Sequence, residues 1–206
     1  MNDNLLSISP TYITAGAIAV YENVWQDHDK TIQDLLSIDS DTTIDVKFTP
    51  SQTTKDHATG DPFRQSIRTS YGMSIGKASA VSETGKQIRD ACDKLISLTI
   101  PGYIKTFKIT EEIKNPETYG LLRYSVGEKY NSHYDGGTGS SRAISVLIYL
   151  NSDYTGGEIE FTNFDLKIKA KSGTMIVFPS NYAYSHIAHP VTLGTKYVIT
   201  AWLKDR

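Results

Sequence analysis

Residues 129–150 read KYNSHYDGGTGSSRAISVLIYL. A run ending in His133-Tyr134-Asp135 passes through Gly136-Gly137-Thr138-Gly139-Ser140 into the apolar run 142–150. Two β-favouring runs separated by turn-forming residues predict two strands joined by a flexible turn. The glycines are too few and too irregularly spaced before a helix to cradle a nucleotide phosphate. Working outward, the same punctuation predicts strands over 121–126, 157–161, 166–169, 174–178 and 196–203, with Gly156-Gly157-Glu158 as a hairpin element. After Pro101 the chain is thus expected to be almost entirely short strands.

The first half reads differently. Ile32, Leu35 and Leu36 recur at helical spacing within 25–37, with Asp27 and Asp29 near the start, where a helix dipole favours anions. A second helix is expected after Ser82 as N-cap, with Ile88, Ala91, Cys92, Leu95 and Ile96 forming an apolar stripe. Between them, 49–66 is polar and bounded by strand-like runs at 43–48 and 67–75; it is read as a surface loop, either a plain connection or a substrate lid. Helices first and strands afterwards predict an α+β fold: a double-stranded β-helix, or cupin-like jelly roll, braced by N-terminal helices.

A chain of 206 residues with 39% hydrophobic content suits one domain, 1–206, with 1–118 as helical support and substrate-loop region and 119–206 as the strand core. A net charge of -2 argues against nucleic acid as partner. Lys167, Lys169 and Lys171 alternate along one strand and are expected to form a solvated face or edge guard. Cys92 stands alone, on an apolar stripe, which excludes an intramolecular disulfide and fits a small buried residue in a reducing compartment. Residues 1–9 lack the pattern of an export signal and no stretch has the length of a membrane span, so a soluble, cytoplasmic protein is expected.

His133 and Asp135 are two apart, which on a strand places both side chains on one face. His186, far downstream, supplies a third ligand and completes a two-histidine, one-carboxylate facial triad with open positions suited to non-haem Fe(II). His189 is the weaker candidate because Pro190 restricts its backbone; His28 and His57 are assigned no metal role. Lys196 opens the last strand and, if interior, needs an anion, for which the far carboxylate of 2-oxoglutarate is suited. Chain reversal at Leu193-Gly194 is expected to return that strand beside the metal strand. Thr200 shares the Lys196 face, Trp202 continues it as packing, and Tyr124 and Tyr149 are expected on strands flanking the metal strand.

With these residues in hand, the chain resembles the 2-oxoglutarate and Fe(II)-dependent oxygenase superfamily, specifically its prolyl 4-hydroxylase branch in compact microbial or viral form. The likeness runs over about 119–203 through Leu122-Arg123-Tyr124, Gly127-Glu128-Lys129-Tyr130, His133-Tyr134-Asp135, Leu147-Ile148-Tyr149-Leu150-Asn151, Gly156-Gly157-Glu158, Phe178-Pro179-Ser180, His186, Pro190-Val191 and Lys196. The resemblance implies Fe(II) on His133, Asp135 and His186, and 2-oxoglutarate with its distal carboxylate on Lys196, in a pocket lined by Tyr124, Tyr149 and Thr200. Lysine rather than arginine at that position is itself similar to the prolyl 4-hydroxylases. Arg68-Thr69-Ser70, within 64–72, resembles the segment near the family's peptide groove. The implied reaction consumes O2 and 2-oxoglutarate, releases succinate and CO2, and hydroxylates a prolyl residue of a peptide or protein, with ascorbate keeping iron reduced. The alternatives are a same-fold dioxygenase acting on a lysyl residue, a free amino acid or an alkylated base, and a non-catalytic jelly-roll binding module.

Overall fold

The computed structural model describes residues 7–51, 67–137 and 139–205. Two N-terminal strands, β1 (Tyr12–Thr14) and β2 (Ile18–Tyr21), form a hairpin whose turn places Ala15 and Gly16 at positive φ. Helix α1 (His28–Ser40) buries Ile32, Leu35 and Ile38. The strand expected at 43–48 is absent; only β3 (Thr49–Pro50) forms. Side chains at the end of α1 take up the local hydrogen bonding instead: Asp41 Oδ1 accepts from Thr43 N and Oγ1, and Asp39 Oδ1 accepts from Phe48 N. Of the expected loop at 49–66, residues 52–66 lie outside the described residues, as does His57.

Strand β4 (Tyr71–Ser74) leads into α2 (Ile75–Val81), a helix not expected from sequence, whose N-cap Ser74 accepts from Lys77 N. Ser82 caps α3 (Glu83–Phe107), accepting from Gly85 N at 3.3 Å, and Ile88, Cys92, Leu95 and Ile96 are buried as the stripe requires. Two details depart from expectation. Ala91 lies on the exposed side, and the helix runs through Pro101 for six more residues before Lys108 ends it in the left-handed region. Pro101 is tolerated because both it and Ser97, whose carbonyl loses an N–H partner, are exposed.

The remaining strands are β5 (Pro116–Tyr124), β6 (Tyr130–His133), β7 (Arg142–Tyr149), β8 (Thr155–Gly156), β9 (Ile159–Phe161), β10 (Leu166–Ile168), β11 (Thr174–Pro179), β12 (His186–Ala188), β13 (Val191–Leu193) and β14 (Lys196–Lys204). They build an eight-stranded sheet in the order β1-β2-β11-β7-β14-β5-β4-β3, a four-stranded sheet β10-β9-β12-β6, and a two-stranded ribbon β13-β8. All the strand pairs are antiparallel.

Alternation along the large sheet divides its side chains between two environments. On β7, Ile144, Val146 and Ile148 join Ile199, Ala201 and Leu203 of β14 against α1 and α3. The opposite face carries Tyr149, Val198, Ile176 and Phe178 toward Ile159 and Phe161 of the small sheet. A sheet covered by helices on one face and a second sheet on the other explains why 143–150 reads as apolar throughout except for Ser145, rather than alternating. The result is the double-sheet jelly roll expected from sequence, with the N-terminal half contributing four strands as well as helices.

Candidate active site

His133 and His186 sit directly opposite each other in the small sheet, where β6 pairs with β12. Cross-strand partners on one face come together, and their ring centroids are 4.2 Å apart. Each ring is oriented by its other nitrogen: His133 Nδ1 lies 2.8 Å from the Asn131 carbonyl and His186 Nδ1 3.0 Å from the Tyr184 carbonyl. A carbonyl accepts only from a protonated Nδ1, so each ring turns its Nε2 toward the centre, where the neutral form offers a lone pair. Asp135 completes the cluster, with Oδ1 3.7 Å from His133 Nε2 and Oδ2 3.9 Å from His186 Nε2. One donor atom from each of the three residues lies within 4.8 Å of the others.

Strand alternation is not what brings Asp135 there. β6 ends at His133, and Asp135 lies in the bend beyond it. Gly136 N donates to the Ser180 carbonyl at 2.7 Å, an approach so close that a Cβ at Gly136 would meet that oxygen at 3.0 Å. The carboxylate is then held by Ser145 Oγ at 2.6 Å, itself 2.8 Å from Ser180 Oγ, and by a hydrogen bond from Trp202. Burial opposes ionisation of Asp135, but the His186 and His133 rings with the Ser145 and Trp202 bonds outweigh it and keep the carboxyl below its ordinary range. Burial, reinforced by the His186 ring, pushes the His133 imidazole down to about 3, leaving it neutral at physiological pH. A neutral imidazole with a free Nε2 beside an ionised carboxylate fits a divalent metal with nitrogen and oxygen preferences, such as Fe(II).

These three residues open into a cavity of about 300 Å³, whose walls also include Tyr124, Tyr149, Lys196 and Thr200. Tyr124 and Tyr149 do not flank the metal strand: β5 and β7 lie in the large sheet and face β6 across the cavity. The same holds for Lys196, which pairs in register with Tyr124 on β5; the turn at Leu193-Gly194 carries the chain to the opposite sheet. Lys196 is 3% exposed, its ammonium lying 5.1 and 5.2 Å from the Tyr124 and Tyr149 ring centroids and donating to the Gly157 carbonyl at 2.7 Å. Burial lowers its pKa to about 7, with Lys169 adding to the effect and Glu158 opposing it. Thr200 Oγ1 donates to the Gly120 carbonyl at 3.3 Å.

At the open side, Arg68 lies 4.7 Å over the Tyr130 ring, which stacks on His133 at 3.5 Å, and Arg68 Nε donates to Ser70 Oγ at 3.0 Å. His189 is paired with Glu160 at 2.5 Å, and His28 lies beside Asp29. Three functional contacts escaped the sequence reading: Ser145, Tyr130 and the Trp202 bond to Asp135. Ser145 carried a signal, being the one polar residue between Ile144 and Tyr149 in a buried strand. The Arg142 guanidinium lies 3.9 Å from the Trp202 ring centroid and pairs with Glu117 at 3.0 Å, backing the indole.

Residues 119–204 match the family model of the 2OG-Fe(II) oxygenase superfamily. That match takes in 86 of the chain's 206 residues. A protein of Acanthamoeba polyphaga mimivirus assigned as a prolyl 4-hydroxylase is 30% identical over 151 residues, covering 61% of this chain and 62% of that protein. Prolyl 4-hydroxylase 13 of Arabidopsis thaliana is 31% identical over 119 residues, 44% of this chain and 43% of that protein. The chain therefore spans 62% and 43% of these two relatives, less than two thirds of either. Among solved structures, it superposes on a Trichoplax adhaerens prolyl hydroxylase, determined with a hypoxia inducible factor oxygen degradation domain peptide, at TM-score 0.73 and 20% identity, covering 93% and 84% of the two chains. The viral collagen prolyl hydroxylase of Paramecium Bursaria Chlorella virus-1, in its 2OG complex, gives TM-score 0.62 at 19% identity over 93% and 98%. At such identities the likeness speaks for the fold alone, a double-sheet jelly roll.

Proposed function

We propose that the chain is a 2-oxoglutarate- and Fe(II)-dependent hydroxylase acting on a prolyl residue of a peptide or protein. One observation carries the reading: His133, Asp135 and His186 converge on the same cavity that the buried ammonium of Lys196 enters from the opposite sheet. The two Nε2 atoms and the Asp135 carboxylate would hold the metal. Lys196 would take the distal carboxylate of 2-oxoglutarate, with Tyr124, Tyr149 and Thr200 lining that pocket. When bound, iron and 2-oxoglutarate supply the oxygen chemistry, coupling release of succinate and CO2 to hydroxylation of an unactivated C–H bond.

The protein's own part is placement and shielding. Ser145 and Trp202 hold the Asp135 carboxylate, Asn131 and Tyr184 set the imidazole tautomers, and Leu147, Ile159 and Val198 keep the cavity wall apolar. Tyr134, 45% exposed, and Arg68 border the opening, where a peptide would lie. Ascorbate as reductant and a reducing, cytoplasmic setting belong to the same proposal, the latter resting on the lone buried Cys92. So does treatment of 1–206 as one functional domain. The test incubates the protein with Fe(II), O2, 2-oxoglutarate, ascorbate and a library of proline-containing peptides. Succinate release coupled to a one-oxygen mass gain on proline is expected; coupled oxidation confined to lysyl peptides, free amino acids or alkylated bases would overturn the prolyl assignment, and no turnover would overturn the hydroxylase reading.

A further inference from the structure

The three alternating lysines do not share one role. Lys167 pairs with Glu160 at 3.4 Å and Lys171 with Glu22 at 3.3 Å, as solvated edge residues do. Lys169 instead folds its ammonium onto the chain at 154–157, donating to the carbonyls of Tyr154 at 3.0 Å and Gly156 at 2.6 Å while lying 3.6 Å from the Tyr154 ring centroid. That stretch is the wall behind Lys196, on the side away from the cavity lining. Gly157 supplies the carbonyl to which Lys196 donates, at φ +66, and a Cβ there would come 3.0 Å from Tyr154 Cε2 and 3.3 Å from Lys196 Cδ. The wall has no slack, so whatever fixes Tyr154 and Gly156 also fixes the acceptor that orients Lys196.

Charge points the same way. Lys169 is near enough to oppose protonation of Lys196, second only to burial, so two ammonium groups bear on one end of the cavity. Glu158 bears on that end too but is one carboxylate against two cations. The Tyr154 hydroxyl, in a residue 5% exposed, has no hydrogen-bond partner among the described residues. Two cations against one carboxylate leave the Lys196 end of the cavity with surplus positive charge, which favours an anion.

We propose that Lys169 is a positioning residue for this pocket, holding the 154–157 wall and adding the second positive charge that selects a dicarboxylate 2-oxo acid over a monocarboxylate one. The inference rests on the reading of Lys196 as partner of the distal carboxylate. It is tested by calorimetric binding of 2-oxoglutarate and of 2-oxopentanoate, which lacks the second carboxylate, to the Mn(II)-loaded protein. Lys169→Met is expected to weaken 2-oxoglutarate about tenfold and flatten its salt dependence, while leaving Mn(II) and 2-oxopentanoate within about twofold of the unaltered protein. Lys169→Arg, which keeps charge and donors, is expected to restore most of the affinity. Equal weakening of both acids would reduce Lys169 to a structural strut and overturn the proposal, as would unchanged 2-oxoglutarate binding. If Lys196→Met itself retained 2-oxoglutarate affinity, the underlying pocket assignment would fall as well, whereas its loss beside an unaffected Lys169→Met would overturn only the role of Lys169.

Discussion

Ser145 shows how much a single hydroxyl decides. It is fully buried, lies on the inner face of β7, and donates to Asp135 at 2.6 Å while engaging Ser180. Groups that orient a metal ligand matter nearly as much as the ligand, so Ser145→Ala should weaken Mn(II) binding by roughly 10-fold or more, read by titration, with the circular dichroism spectrum unchanged. Lys196 gives a prediction in pH. Its ordinary value is 10.5 and burial brings it to about 7 in the folded, ligand-free protein, so across that interval the unfolded chain binds the additional proton. Stability present at high pH is therefore lost as pH falls toward 7. Denaturation midpoints should rise between pH 7 and 9, and Lys196→Met should remove that rise. Binding of 2-oxoglutarate should draw a proton onto Lys196 in the same interval, visible as a buffer-dependent calorimetric enthalpy. At this scale His133, His186 and Lys196 were legible in sequence because their chemistry is distinctive, whereas Tyr130 was not, since stacking on a histidine three residues away depends on a backbone path that no residue type announces.

Among elements, α3 tests local rules cleanly. Ser82 was readable as an N-cap, and Ser82→Ala should lower stability by about 1 kcal/mol in chemical denaturation. Its far end was not readable, because Pro101 suggested a stop that solvent exposure made unnecessary. Lys108, at φ 51, ends the helix in a conformation that costs a side chain and suits glycine. Lys108→Gly should raise stability by about 1 kcal/mol, read as a higher denaturation midpoint with an unchanged slope. The missing strand at 43–48 teaches the converse: Asp39 and Asp41 capture nearby backbone and hydroxyl donors, a local competition that β-favouring composition does not reveal.

For the molecule as a whole, the candidate site spans two sheets, with His133 and His186 on the small one, Asp135 just beyond its edge and Lys196 on the large one. A metal and 2-oxoglutarate bound together would tie the sheets to each other and stabilise the fold by mass action, about 2.7 kcal/mol at a ligand concentration of 100 times Kd. Thermal unfolding with Mn(II) plus 2-oxoglutarate should therefore occur at clearly higher temperature than with Mn(II) alone, and Lys196→Met should abolish that increment. Sequence by itself determined the class of fold, the two long helices, most strands of the second half, and which residue types were chemically able to form a metal and anion site, because periodicity, turn residues and ionisable side chains are local properties. Only the tertiary structure decided that Asp135 reaches the centre through a bend rather than along a strand, that Tyr124, Tyr149 and Lys196 face the histidines from across the cavity, and that β1 and β2 complete the large sheet. Those outcomes depend on which strand lies beside which and on how far apart two sheets pack, and such distances are set by the whole chain at once.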